Sequence, residues 1–264
     1  MSKRVVTLDG TTLNTLDVHD VAHEFAIVQV AEEAMLKVAL SRKVVDRIVD
    51  GDETVYGINT GFGSLVHTRG DQDEAEQLQL NLIRSHATGL GPTLSKEVVR
   101  AMMCVRLNSL VKGHSGVHPD VIQQLSQFLN NSIHPIVPRI GSLGASGDLA
   151  PLSHLACALV GEGRVELDGE IMTAMEAIRT CEMVPLTLRA KDGLSLINGT
   201  SLIAGMLSLA IEKLRQLLTY ADIVAGMSID ATESKTPTRS DASPKCMDLC
   251  KRLCRNSWTP LQLN

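Results

Sequence analysis

The scarcity of aromatic side chains constrains this chain more than any other feature: three Phe, two Tyr and one Trp in 264 residues. The interior has to be packed with Leu, Val, Ile, Ala and Met. That supply favours helices over a β-sandwich, whose strands draw on aromatic and β-branched residues. Apolar residues at 44% and charged residues at 21% are ordinary for a globular chain, which excludes disordered and collagen-like architectures. The length allows one or two domains. A formal charge of −5 leaves no overall basic footprint for nucleic acid.

The first residues meet acid at Asp9, too early for a secretory signal, and the six cysteines do not resemble the dense framework of a small secreted domain. Reduced thiols in a cytoplasmic protein are the expectation. Residues 194–211 carry no charge, but Asn198, Gly199, Thr200, Ser201 and Gly205 interrupt the run. A buried helix preceded by a polar turn is therefore expected there, not a membrane span.

Periodicity predicts a mainly α chain with two short β-hairpins. The hairpins are Val5 to Leu13 around Asp9-Gly10 and Val165 to Ile171 around Asp168-Gly169, both favoured tight-turn pairs. Apolar residues at helical spacing run from Asp17 to about Val49, as one helix or two in series, with Gly51 as a stop. Further helices are expected over 73–85, 95–111, 120–131, 148–160, 173–180 and 200–227, with Asp148 as a possible N-cap and Pro151 in the first turn behind it. No internal repeat is visible.

Four segments break the periodicity, and loops on a rigid frame are where sites concentrate. Tyr56 heads a glycine-rich loop through Gly70. Asn81-Leu82-Ile83-Arg84-Ser85-His86 closes a helix. Gly141-Ser142-Leu143-Gly144-Ala145-Ser146-Gly147-Asp148-Leu149-Ala150-Pro151-Leu152 is a turn followed by a helix start, and Gly193-Leu194-Ser195-Leu196-Ile197-Asn198-Gly199-Thr200 precedes the last helix. On spacing alone the third is a capped helix, Asn198 a cap, His86 a structural histidine and Tyr56 a loop tyrosine or a functional one.

Together these four motifs, in this order, resemble the aromatic amino acid ammonia-lyases, most nearly the members that use histidine. The resemblance implies the N-terminal part of the ammonia-lyase/fumarase-like helical fold over residues 1–230. It also implies a small-molecule amino acid substrate, a homotetramer in complete members, and no partner nucleic acid or membrane. It further implies that Ala145, Ser146 and Gly147 cyclise, the Gly147 nitrogen attacking the Ala145 carbonyl with loss of water, to a methylidene-imidazolone. No metal and no external cofactor are needed. Glycine suits the attacking position because it lacks a Cβ. Such an electrophile takes up the substrate amine, the favoured mode over attack by the ring, and makes it a better leaving group, work that standard side chains leave to cofactors.

By the same resemblance Tyr56 is the base for the β-proton, Asn198 places an amide near the imidazolone or the amine, and His86 selects a polar ring. Asp148 either orders the cyclising loop or caps its helix, and the cap is preferred. The implied reaction is elimination of ammonia from L-histidine to give trans-urocanate. The alternatives are a tyrosine or phenylalanine ammonia-lyase or aminomutase, or an inactive subunit that co-assembles with complete chains.

Residues 231–264 form a divergent tail. Residues 232–264 hold six Lys and Arg against three Asp and Glu, the only Trp, and Cys246, Cys250 and Cys254 at a spacing unlike a zinc site. The expectation is a truncated or frame-altered product, lacking a C-terminal bundle and with little activity on its own.

Overall fold

The computed structural model describes residues 3–51, 55, 57, 58, 72–144 and 147–231. Tyr56, most of the first glycine-rich loop, Ala145, Ser146 and the tail with its three cysteines lie outside the described residues. Two units divide the chain at Leu209 and Ala210.

The first expected hairpin is not formed. Strand β1 (Val5–Leu8) pairs in parallel with β2 (Ile27–Val30), Val5 opposite Ile27 and Leu8 opposite Val30. The Asp9-Gly10 turn exists, but Asp9 spends its carboxylate on the amides of Thr11 and Thr12, at 2.7 and 2.8 Å. The chain then enters helix α1 (Thr15–His23) instead of turning back. Asn14 and Asp17 form a reciprocal capping box at that helix start. The periodic run 17–49 is accordingly split: α1, then β2, then α2 (Glu32–Asp50), with Gly51 at the C-cap as expected. Strand β2 is held on its other side by Asn130, which accepts from the Val28 amide at 2.8 Å and donates to its carbonyl at 2.9 Å.

Helix α3 (Gln72–His86) leads through β3 (Leu90–Thr93) to α4 (Lys96–Val111), followed by α5 (Pro119–Asn130). Helix α4 is the centre of the first unit, with Val99, Ala101, Met102, Met103, Leu107 and Leu110 fully buried. Its Arg100 is buried too. The guanidinium donates to the carbonyls of Val21 and Leu129, lies 4.3 Å from the centroid of the Phe25 ring, and sits 3.2 Å from His134 Nε2. Arginine can only donate, so Nε2 accepts and His134 is neutral. Burial, seconded by the Arg100 charge, holds its pKa down at about 4.

Strands β4 (His134–Pro135) and β5 (Pro138–Ile140) precede the apolar helix α6 (Leu149–Leu159). The second hairpin forms as expected: β6 (Arg164–Leu167) pairs antiparallel with β7 (Glu170–Thr173), and Asp168 and Gly169 both take positive φ, +52 and +84. Helix α7 (Ala174–Thr180) follows, capped by Thr173, then α8 (Asp192–Ile197) and α9 (Ser201–Ala231). The fold is mainly α, with one hairpin instead of two.

Helix α9 departs from the burial expected over 194–211, where Ile203, Met206 and Leu207 are 43%, 46% and 58% exposed. Leu202 is buried, and a Cβ on Gly205 would stand 3.0 Å from the α4 backbone at Ala101 and Met102. Beyond Leu209, in the second unit, Leu214, Leu217, Leu218, Ile223, Val224 and Met227 are each more than half exposed. The stretch 192–228 is long and apolar enough to cross a membrane by length and composition, with mean hydropathy 1.7 and 33% of its most apolar window buried. The absence of charge over 194–211 reports apolar content, and burial needs a packing partner as well.

Candidate active site

The short helix α8 is fixed at both ends by buried charges. Asp192, at its start, is fully buried and accepts backbone amides from His118 and Arg189, each at 2.9 Å. Burial pushes its carboxyl up to about 6, against those amides and the Arg42 guanidinium, which lies 3.3 Å away. At the other end Arg106 reaches out of α4. Its Nη2 donates to the carbonyl of Ser195 and, at 2.9 Å, to that of Asn198. Gln79 of α3 holds the side of the helix, its Oε1 accepting from Leu194 N at 3.2 Å.

The turn after α8 is where two of the sequence motifs meet. Gly147 has φ +118, a backbone conformation L side chains rarely adopt. A Cβ there would come within 2.7 Å of the Gly199 carbonyl carbon and 2.8 Å of its nitrogen. Next along the chain, Asp148 N donates to Gly199 O at 2.6 Å. The two glycines thus lie backbone against backbone, and a side chain on Gly147 would strike the Gly199 main chain.

Asp148 departs from the preferred of its two expected roles, the cap on its own helix, and bonds across the loop instead. It occupies the N-cap position of α6, but its side chain makes no bond to that helix. Fully buried, its carboxylate instead accepts from Leu202 N at 2.8 Å and Ile203 N at 3.1 Å, two orphan donors in the first turn of α9. Its other oxygen accepts from Ser142 Oγ at 2.7 Å. One carboxylate therefore ties the start of the Gly141–Asp148 loop to the helix behind the Asn198–Thr200 turn. The cap is real, but on a helix 54 residues further along.

The start of the loop is also fixed from the α3 side. Strands β3 and β5 pair antiparallel, Leu90 opposite Ile140. A Cβ on Gly141 would stand 3.3 Å from Gly89 Cα, and Gly89 N donates to His154 Nε2 at 3.1 Å. His86, half-buried at the end of α3, is three residues before that contact. Its Nδ1 is 2.9 Å from the Leu82 carbonyl. The same nitrogen is 3.0 Å from Ser85 Oγ.

Of the residues singled out in the sequence, Gly147 and Asn198 belong to one packed assembly, and His86 ends the helix that leads into it. Asn198 is the C-cap of α8, not an N-cap of α9, and its side chain is exposed. Tyr56, Ala145 and Ser146 lie outside the described residues. Arg106 was not singled out. Its signal is faint but present: a charged residue in the apolar stretch of α4, between Met103 and Leu107.

A family model described as aromatic amino acid lyase matches residues 13–243. The probable histidine ammonia-lyase of Halobacterium salinarum is 44% identical over 242 residues, 92% of this chain and 46% of that protein. The MIO-dependent tyrosine 2,3-aminomutase of Streptomyces globisporus is 42% identical over 231 residues, 88% of this chain and 43% of its own. The crystal structure of histidine ammonia-lyase from Trypanosoma cruzi superposes with a TM-score of 0.82 at 37% identity, covering 88% of this chain and 45% of that one. The chain thus spans about half the length of the curated relatives it matches. Because the family match spans most of its length and takes in both the loop ending at Gly147 and the turn that receives it, this chain belongs to the aromatic amino acid lyase family.

Proposed function

We propose that this chain carries the electrophile-forming part of an ammonia-lyase that converts L-histidine to trans-urocanate and ammonia. The electrophile is a methylidene-imidazolone made from Ala145, Ser146 and Gly147. The observation that carries the reading is the seat of Gly147: φ +118, its backbone against Gly199, and no space for a side chain. That seat fits the group, because the attacking nitrogen must fold back on a carbonyl two residues earlier and only glycine does so without strain. Once formed, the group supplies an electron-poor centre that makes the substrate amine a better leaving group.

The remaining chemistry belongs to ordinary side chains. Tyr56 removes the β-proton, and with a reference pKa of about 10 it must be tuned by its surroundings to act near neutrality. The exposed amide of Asn198 donates to developing negative charge. His86 hydrogen-bonds a polar substrate ring, and a site built around such a bond rejects rings that lack the matching group. Assembly as a homotetramer in the cytoplasm belongs to the same proposal. The similarity to an aminomutase favours a second reading, in which the substrate is tyrosine or phenylalanine.

Intact mass tests the first step in the 264-residue chain. Closure removes two waters, a deficit of about 36 Da that glycine at position 147 permits and that Ser146→Ala, lacking the hydroxyl, cannot reach. In a full-length form, ammonia release from L-histidine and not from L-tyrosine or L-phenylalanine is the expected selectivity. Unmodified mass overturns the proposal, and release from tyrosine alone moves it to the second reading.

A further inference from the structure

Arg106 is the least expected charge in the first unit. It sits mid-helix in α4, 4% exposed, with no salt bridge among the described residues and with Nε buried and unpartnered there. Burial lowers its pKa to about 10, so it stays cationic at neutral pH. Burying such a charge without a carboxylate is costly, and what offsets it here is a pair of backbone carbonyls, Ser195 O and Asn198 O. The guanidinium also fills the space beside Gly199. A Cβ built on that glycine would land on Arg106 Nη1 and stand 3.2 Å from Cζ.

Arg106 and Gly147 therefore press on the same turn from opposite directions. Arg106 holds Ser195, Asn198 and Gly199 from the α4 side. Gly199 in turn receives the Gly147 backbone and the Asp148 amide. Because most of α4 is buried, it is a rigid base for that support.

We propose that Arg106 is a positioning residue for ring closure, bracing the Asn198-Gly199 turn so that Gly147 is held folded back on Ala145. The proposal rests on the lyase reading. Closure forms the bond from Gly147 N to the Ala145 carbonyl carbon. That carbonyl oxygen leaves as water with the amide hydrogens of Ser146 and Gly147. The Ser146 hydroxyl leaves as the second water, taking the Ser146 α-hydrogen. No oxidant or reductant is required, so geometry sets the rate. Misplacement of reacting atoms by about 1 Å costs on the order of a hundredfold in such reactions.

The test follows the intact mass of the chain over time after cell-free synthesis, alongside thermal unfolding of the same samples. Arg106→Met keeps bulk and removes the donors; the folded variant is expected to lose its two waters about a hundredfold more slowly than the parent. Arg106→Lys keeps the charge but loses the planar guanidinium whose Nη2 is held against both carbonyls, and about a tenfold lag is expected. A purely structural role lowers the unfolding temperature while folded molecules close at the parent rate, and that result overturns the inference. If Arg106→Met does not fold, Arg106→Lys decides alone: a lag supports the inference and parity overturns it. A parent chain that never loses water overturns the lyase reading and this inference together. That outcome is distinct from failure of this inference alone, in which the parent closes and the variants keep pace.

Discussion

The first and last turns of α9 are similarly rich in apolar residues, yet they are held very differently. At the start, Leu202 is buried, the amides of Leu202 and Ile203 end on the Asp148 carboxylate, and Gly205 lets the helix touch α4. At the far end, Tyr220, Ile223, Val224 and Met227 are between 53% and 66% exposed. Apolar content is shared by both regions. What the first has in addition is a buried acceptor for its orphan amides and a residue small enough for backbone contact. Specific polar satisfaction and close approach separate a fixed helix turn from a merely greasy one.

That contrast is open to direct challenge. The largest effect is expected at the glycine joint. Gly147→Ala places a Cβ on the Gly199 backbone and demands a φ that alanine resists, so urea unfolding should register a loss of about 3 kcal/mol or more. The mass deficit should disappear with it. A variant that remains as stable as the parent would mean the joint is loose and the contrast empty. Asp148→Ala should cost about 2 kcal/mol, since it removes the acceptor of the buried Leu202 amide and of the part-buried Ile203 amide and Ser142 hydroxyl. At the other extreme, Leu217→Glu alters a side chain that is 62% exposed and should move stability by less than about 0.5 kcal/mol. If the glutamate costs as much as the loss of Asp148, the two parts of α9 are not different in kind.

The sequence made most of the helical frame legible, because long amphipathic segments with a stop such as Gly51 carry their own signal. The hairpin at Asp168-Gly169 was equally plain, since both residues accept positive φ. What failed was non-local. Strand β2 hid inside a helical pattern because Phe25, Val28 and Ala31 happen to fall three apart, and what makes it a strand is β1 and Asn130, 102 residues away. The Asp9-Gly10 turn was right in its chemistry and wrong in its consequence. Asp148 looked like a cap for its own helix because local spacing cannot reveal that Leu202 and Ile203 compete for the same oxygens. At the site, the motifs marked Gly147, Asn198 and His86. Arg106 escaped because a charge inside an apolar helix acquires its meaning only from the carbonyls it meets.

The contact between Gly147 and Gly199 is made by two residues with nothing beyond the main chain, so it offers mutation no dial to turn. On the proposed lyase reading, a catalyst built around such a fulcrum inherits its chemistry whole, and changes of appetite come from the periphery, at positions such as His86, where a helix ends.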